Sequence, residues 1–136
     1  MSNGAAQEHG LNKVVDQMCA MDGVVCEKLA DGRIALQFTY NGAIGEVFLV
    51  VSDNDYRFQK IQFSRLRDTL TELGVTEGQT FVAPALPKRP MTPPMRAARA
   101  RKKEEFQAWQ GLCRTIRMAE KSLDVEYEIA QMRDYY

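Results

Sequence analysis

The sequence predicts an α+β domain joined by a proline-rich segment to a long C-terminal helix. Three observations support this: apolar residues at helical spacing near both ends, two turn-forming connections (Asp31-Gly32 and residues 41–45) between strand-like segments, and no proline after Pro94. The expected order is a helix, a three-stranded antiparallel meander, a second helix, a short fourth strand, a proline-rich linker and the long helix. We place the compact domain at 1–83, the linker at 84–94 and the long helix at 95–136.

Short local patterns define the first helix and the first hairpin. The helix is indicated by apolar residues three and four positions apart, namely Leu11, Val14, Val15, Met18 and Cys19. Asp31-Gly32 favours a two-residue type I′ turn, because both positions of that turn need positive φ. Such a turn places Leu29 opposite Ile34 in strands at 24–30 and 33–40. The third strand is expected at 46–51.

The second helix is predicted from a stripe of large apolar residues, namely Phe63, Leu66, Leu70 and Leu73. Gly74 is placed to end it, because glycine readily adopts the left-handed conformation that follows many helices. A short fourth strand is expected at 80–82. The prolines between positions 84 and 94 then forbid regular structure in the linker.

The long helix carries an apolar seam at alternating steps of three and four residues, provided that Glu120 is accepted as a polar member. Its candidate interface residues are Phe106, Trp109, Cys113, Ile116, Leu123 and Tyr127. A helix of roughly 35 residues would extend about 50 Å, which exceeds the width of the preceding domain. Three alternatives follow: the helix folds back, breaks near Gly111, or forms a homodimer.

A strongly basic stretch lies where the linker meets this helix. Residues 88–103 contain seven Lys or Arg and no Asp or Glu, although the whole chain is neutral. We call these seven the cationic segment: Lys88, Arg89, Arg96, Arg99, Arg101, Lys102 and Lys103. Clustered Lys and Arg are typical of nucleic-acid-binding surfaces and also of solvated linkers, so both interpretations stay open.

The sequence lacks the residues of the common catalytic and metal sites. Its one histidine, His9, lies near the start of the chain, and no phosphate-loop, dinucleotide, metalloprotease or hydrolase motif is present. The three cysteines lack zinc-site spacing and are expected to be reduced thiols. We therefore expect no enzyme activity, no cofactor, no metal and no membrane span, and a cytoplasmic protein.

Residues 33–74 resemble a known arrangement. Tyr40-Asn41-Gly42, an apolar strand, Ser52-Asp53, Arg65-Leu66-Arg67 and Leu73-Gly74 look like small phage and prophage proteins, whose strand-strand-helix core is similar to HicA-like and double-stranded-RNA-binding folds. The resemblance implies a phage-encoded protein, acting in the host cytoplasm, with a fold suited to nucleic-acid or protein contact. It does not imply ribonuclease activity, because the histidine of HicA toxins has no counterpart here.

The sequence thus supports two functional hypotheses. The first is a non-enzymatic binding protein that contacts nucleic acid or a nucleoprotein complex through the cationic segment. The second is a protein-protein inhibitor of a host defence enzyme, or an assembly factor, that uses the apolar third strand and the helix seam. A homodimer built on residues 106–130 is compatible with either.

Overall fold

Three antiparallel strands and three longer helices make up the described residues of the computed structural model, which are 10–52, 55–82 and 88–135. In chain order they are α1 (Leu11–Cys19), β1 (Val24–Lys28), β2 (Arg33–Tyr40), β3 (Ala43–Val50), α2 (Tyr56–Glu72) and α3 (Pro93–Tyr135). The predicted α+β class and element order are confirmed, except that residues 80–82 form no strand. His9 and linker residues 84–87 lie outside the described ranges.

The sheet has the order β1-β2-β3, and both neighbouring pairs are antiparallel. Lys28 pairs with Ile34, and Cys26 pairs with Leu36. This register differs by one residue from the prediction that Leu29 lies opposite Ile34, which is therefore wrong. Because side chains alternate along a strand, a slip of one residue exchanges the two faces of β1.

The slip originates in the loop of the first hairpin. Asp31 and Gly32 both have positive φ, 65° and 73°, as the predicted turn requires. Ala30 nevertheless joins them in a single 3-10 turn, which makes the loop three residues long. The backbone amide of Leu29 closes the loop by donating to the carbonyl of Arg33 at 2.9 Å.

The second hairpin is tighter than predicted. Asn41 and Gly42 have φ of 50° and 81°, and Tyr40 pairs directly with Ala43. These values fit a two-residue type I′ turn. Consequently β3 begins at Ala43, three residues before the expected start.

The helices cover only one face of the sheet. The core cluster combines side chains of all three helices with Ile34, Leu36 and Phe38 of β2. On the opposite face, Ile44 and Phe48 of β3 are 64% and 58% exposed. The sheet therefore has one dry face and one face with apolar side chains in contact with solvent.

The helix α2 forms as its pattern predicts. Asp55 is the N-cap residue, and its side chain accepts a hydrogen bond from the amide of Phe58 at 3.3 Å. The predicted stripe residues Phe63, Leu66 and Leu70 are fully buried.

The C-terminal end of α2 is a Schellman motif. Gly74 has a φ of 88°, and its amide donates to the carbonyl of Thr71 at 3.0 Å. The amide of Val75 donates to the carbonyl of Leu70 at 2.8 Å, and the Val75 side chain is buried. These are the two hydrogen bonds that define the motif, so the predicted role of Gly74 is confirmed.

The long helix α3 is a continuous helix of 43 residues, about 65 Å long at 1.5 Å per residue. It starts with Pro93, and the hydroxyl of Thr92 accepts a hydrogen bond from the amide of Met95 at 3.4 Å. It does not break at Gly111, so that alternative is wrong. Its middle packs back on α1 and α2. No helix within the described ranges is long and apolar enough to span a bilayer.

Candidate functional site

The cationic segment lies at the start of α3 and in the residues just before it. Lys88 and Arg89 occupy a bend that precedes the helix, and the other five residues lie on its first three turns. Arg99 is half-buried, while the remaining six are exposed. The first turn of α3 contains no acidic residue. The sequence-predicted binding residues are therefore brought together on one end of one helix.

Among the described residues, these cations have no acidic partner. Across the described ranges, no carboxylate lies within 4.0 Å of any Lys or Arg of the cationic segment. Within the same ranges, the side-chain hydrogen bond found for these residues is the one that Arg99 Nη1 donates to the sulfur of Met91, at 4.0 Å. By contrast, Arg117 pairs with Glu77 at 2.8 Å elsewhere in the fold. The positive field of the segment is consequently directed into solvent.

Helical periodicity divides the segment into sides. Arg96, Arg99 and Lys103 fall three and four residues apart and share one side of α3, along about 10 Å of its axis. Lys102 lies three residues beyond Arg99 and borders this side, whereas Arg101 lies on nearly the opposite side. Glu104 and Glu105 follow immediately and end the basic run. The three aligned cations form the most regular track for a row of phosphates.

The residues predicted as a helix seam pack inside the molecule. Trp109 and Ile116 are buried, and the others are half-buried on the same side of α3, namely Phe106, Cys113, Leu123 and Tyr127. Sequence reasoning missed Leu112 and Ala119, which are also buried there. Both are apolar and adjoin seam positions, so a broader stripe would have included them.

Trp109 anchors α3 to the sheet. Its ring packs edge-on against Phe38 at 5.9 Å and against Tyr40 at 5.7 Å between centroids. Only 3% of the residue is exposed. Trp109 therefore cannot stack on a base of a bound nucleic acid. Phe106 is half-buried beside Phe81, with ring centroids 5.5 Å apart.

A polar network fixes the far part of α3 to α2. The hydroxyl of Tyr56 donates to Asp124 at 2.6 Å, and Lys60 Nζ lies 3.2 Å from the same carboxylate. Arg67 Nη2 and Lys60 Nζ lie 3.0 Å and 3.6 Å from Glu120 Oε1. Glu120, expected as a polar member of the seam, thus faces two cations of α2.

This network shifts two pKa values. The hydrogen bond that Tyr56 donates to Asp124 raises the pKa of the phenol to about 12, with partial burial and the negative charge of Asp124 adding to the effect. The same bond, with Lys60 nearby, lowers the pKa of the Asp124 carboxyl. The ring of Tyr56 also stacks on Tyr127, with centroids 4.0 Å apart.

Gln110 ties the chain after α2 to α3. It is 7% exposed, and its side-chain amide donates to the carbonyl of Thr76 at 2.8 Å while its oxygen accepts from the amide of Gly78 at 2.9 Å. A buried amide needs such partners to offset the loss of water. No local pattern in the sequence distinguishes this glutamine from an exposed one.

The cysteines differ from the prediction of three reduced thiols. Cys19 and Cys26 are joined by a disulfide bond between the end of α1 and β1, so the prediction is wrong for this pair. Cys113 is a free thiol, and burial raises its pKa. A raised pKa makes it a poor nucleophile at neutral pH.

A cavity of about 640 Å³ lies beside the cationic segment. It lies between the second hairpin, the chain after α2 and the third and fourth turns of α3, and is lined by Tyr40, Asn41, Leu73, Gly74, Gln79, Thr80, Phe81, Val82, Lys102, Glu105 and Phe106. Lys102 and Glu105 are its charged lining residues. Sequence reasoning did not identify this cavity, because its walls come from three distant parts of the chain.

Within the part of the chain that the structure describes, no cluster of His, Cys, Asp or Glu is arranged to hold a metal ion. The chain matched no protein-family model, and searches among curated proteins and solved structures gave no match either.

Proposed function

We propose that this chain is a non-enzymatic protein that binds nucleic acid, alone or in a nucleoprotein complex, through the cationic segment. One observation carries the proposal: seven neighbouring Lys and Arg have no carboxylate partner among the described residues, and six of them are exposed. Such a row of free cations gains affinity for phosphates by releasing the counterions of the nucleic acid. We place this contact in the cytoplasm, a reducing compartment in which the disulfide between Cys19 and Cys26 would be opened.

The rest of α3 supports the proposal by holding the segment rigidly. Trp109, six residues beyond Lys103, is packed against the sheet. Because the helix is continuous between these positions, the aligned cations keep a fixed orientation relative to the domain. A rigid track loses less conformational entropy on binding than a flexible basic tail.

The charges also work against the stability of their own helix. Positive side chains are unfavourable near the N-terminus of a helix, where the backbone dipole is already positive. Arg96 lies in the first helical turns and has no acidic neighbour to offset this. The pattern is therefore explained better by an external anion than by the needs of the helix.

The test is a triple variant, Arg96→Ala, Arg99→Ala and Lys103→Ala, compared with wild type by fluorescence anisotropy. Labelled duplex DNA, duplex RNA and single-stranded RNA serve as separate probes. If each of the three residues contacts a phosphate, affinity for the preferred probe should fall by about two orders of magnitude at 0.1 M salt.

A control variant carries the same loss of charge at exposed positions far along the chain: Lys13→Ala, Arg33→Ala and Arg65→Ala. It should bind almost as tightly as wild type. Equal weakening by both variants would mean that net charge alone drives binding. Lack of binding to all three probes at low salt would refute the proposal.

The open face of the sheet favours a second candidate, a protein-protein role as inhibitor or assembly factor. Ile44 and Phe48 of the apolar strand are more than half exposed, and exposed apolar side chains of this size often belong to contact surfaces. The variant Ile44→Asp with Phe48→Asp should then lose a copurifying protein that wild type and the exposed-site control Thr71→Asp retain. If all three proteins retained the copurifying protein, the open face of the sheet would be excluded as its binding surface.

A further inference from the structure

A second apolar stripe runs along α3 on the side turned away from the domain. It consists of Met118, Val125, Ile129 and Met132, with Ser122 as its one polar member, at alternating steps of four and three residues. We call it the outer stripe. Met118 and Met132 are each 63% exposed, Val125 is 45% exposed and Ile129 is 46% exposed. Nothing in the described part of the chain covers them.

The outer stripe is distinct from the inner seam. Met118, Val125 and Ile129 each lie two residues from a residue of the helix seam, namely Ile116, Leu123 and Tyr127. Two residues correspond to about 200° around a helix, so the two stripes face nearly opposite directions. A partner on the outer stripe would therefore not collide with α1 or α2.

The spacing of the outer stripe is that of a coiled-coil seam. Alternating steps of three and four residues are the heptad pattern by which one helix packs against another of the same kind. In heptad terms Ser122 and Ile129 occupy a positions, while Met118, Val125 and Met132 occupy d positions. Ile129 at an a position is one of the two features that favour two strands in parallel coiled coils; the other, Leu at d, is replaced here by Met118, Val125 and Met132.

The charges beside the stripe identify the partner. In a parallel pair of identical helices, a residue at a g position faces the e residue five positions later on the other helix. For this chain those pairs are Lys121 with Glu126 and Glu128 with Arg133, and both are opposite in sign. All four side chains are exposed, and none forms an ion pair within the described structure.

An antiparallel arrangement fits less well. There g positions face g positions and e positions face e positions. In one antiparallel register, Lys121 faces Glu128 of the second helix, but Glu126 faces Ala119. In the next register, Glu128 faces Glu128 of the second helix and Glu126 faces Glu126, so both pairs repel. The parallel arrangement alone satisfies all four charges.

From the heptad spacing, exposure and charge complementarity together, we propose that the outer stripe of α3 binds a second copy of this chain in a parallel two-stranded coiled coil. The dimer does not depend on the proposed nucleic-acid function. If both proposals hold, a parallel dimer places the two cationic segments at the same end of the coiled coil. Nucleic-acid affinity would then depend on dimer formation.

The test is the mass of the full-length chain in solution, measured by sedimentation equilibrium over a concentration series without nucleic acid. Wild type should move from its monomer mass of 15.4 kDa towards twice that value as concentration rises into the range of about 100 µM, because a short coiled coil associates weakly. Ile129→Asp should remain a monomer. Gln131→Asp, which adds the same charge at an exposed position outside the stripe, should dimerise like wild type.

A charge exchange tests the orientation. Lys121→Glu and Glu126→Lys should each weaken the dimer, because each creates a like-charged pair, and the double variant should restore it. Circular dichroism must show unchanged helicity in every variant. A monomer at all concentrations, or Ile129→Asp dimerising as wild type does, would overturn the proposal. Failure of the double variant to restore association would overturn the parallel arrangement. Loss of nucleic-acid binding in a protein that still dimerises would count against the proposed function only.

Discussion

Replacing Trp109 by alanine tests whether α3 belongs to the folded core. Trp109 is 3% exposed and contacts Phe38 and Tyr40. A tryptophan side chain buries roughly 150 to 250 Å², which at about 25 cal/mol per Å² gives about 4 to 6 kcal/mol as an upper estimate. Measured substitutions of this kind cost about 3 to 5 kcal/mol. We therefore expect the free energy of unfolding to fall by about 4 kcal/mol.

Since a domain of this size is stable by only about 5 to 15 kcal/mol, the loss is large enough to measure or to unfold the protein. The assay is urea denaturation followed by circular dichroism. Gln107→Ala, an exposed position on the same helix, is the control and should change the free energy by less than about 0.5 kcal/mol. A Trp109→Ala protein within about 1 kcal/mol of wild type would show that α3 is attached to the domain without stabilising it.

Three further predictions concern local features. The phenol of Tyr56 should titrate near pH 12 when it is followed by ultraviolet absorbance. Its hydrogen bond to Asp124 therefore stabilises the fold fully below about pH 10, and this stabilisation is lost as the pH rises through 12. The variant Asp124→Asn should return the titration midpoint of Tyr56 towards about pH 10. The disulfide between Cys19 and Cys26 joins residues that are seven positions apart in the sequence. Its reduction should lower the free energy of unfolding by about 2.5 kcal/mol, as calculated from the entropy of closing a loop of that length. Equal urea midpoints with and without reductant would contradict this. Gly74→Ala should cost about 1 to 2 kcal/mol, because its φ of 88° is unfavourable for a residue with a side chain; an unchanged melting temperature would show that the motif can relax.

Much of the fold follows from local chemistry, and could therefore be read from the sequence. The stripe of Phe63, Leu66 and Leu70 specifies α2, and Gly74 ends it, because both effects involve neighbours along the chain. The second hairpin was predicted with a five-residue connection at 41–45, whereas Asn41 and Gly42 alone form its turn. The first hairpin was missed by one residue because Asp31-Gly32 adopts the expected φ values inside a loop of either two or three residues.

Features that depend on distant parts of the chain could not be read in this way. Cys19 and Cys26 share a disulfide because α1 and β1 lie side by side, and spacing alone does not reveal this. The buried role of Gln110 depends on a loop more than thirty residues earlier. The cationic segment could be identified from the sequence alone. That its members have no carboxylate partner among the described residues could be seen only from the three-dimensional positions of the carboxylates.

The most direct test of the central claim is the salt dependence of nucleic-acid binding by the wild-type chain. If the five cations on α3 each neutralise a phosphate, the logarithm of affinity should fall with the logarithm of salt concentration at a slope of about −4.5, which is about a 500-fold loss between 50 and 200 mM salt. The variant lacking Arg96, Arg99 and Lys103 should give a slope of about −1.8. A flat dependence for wild type, or the same slope for both proteins, would contradict a phosphate-binding role for this helix.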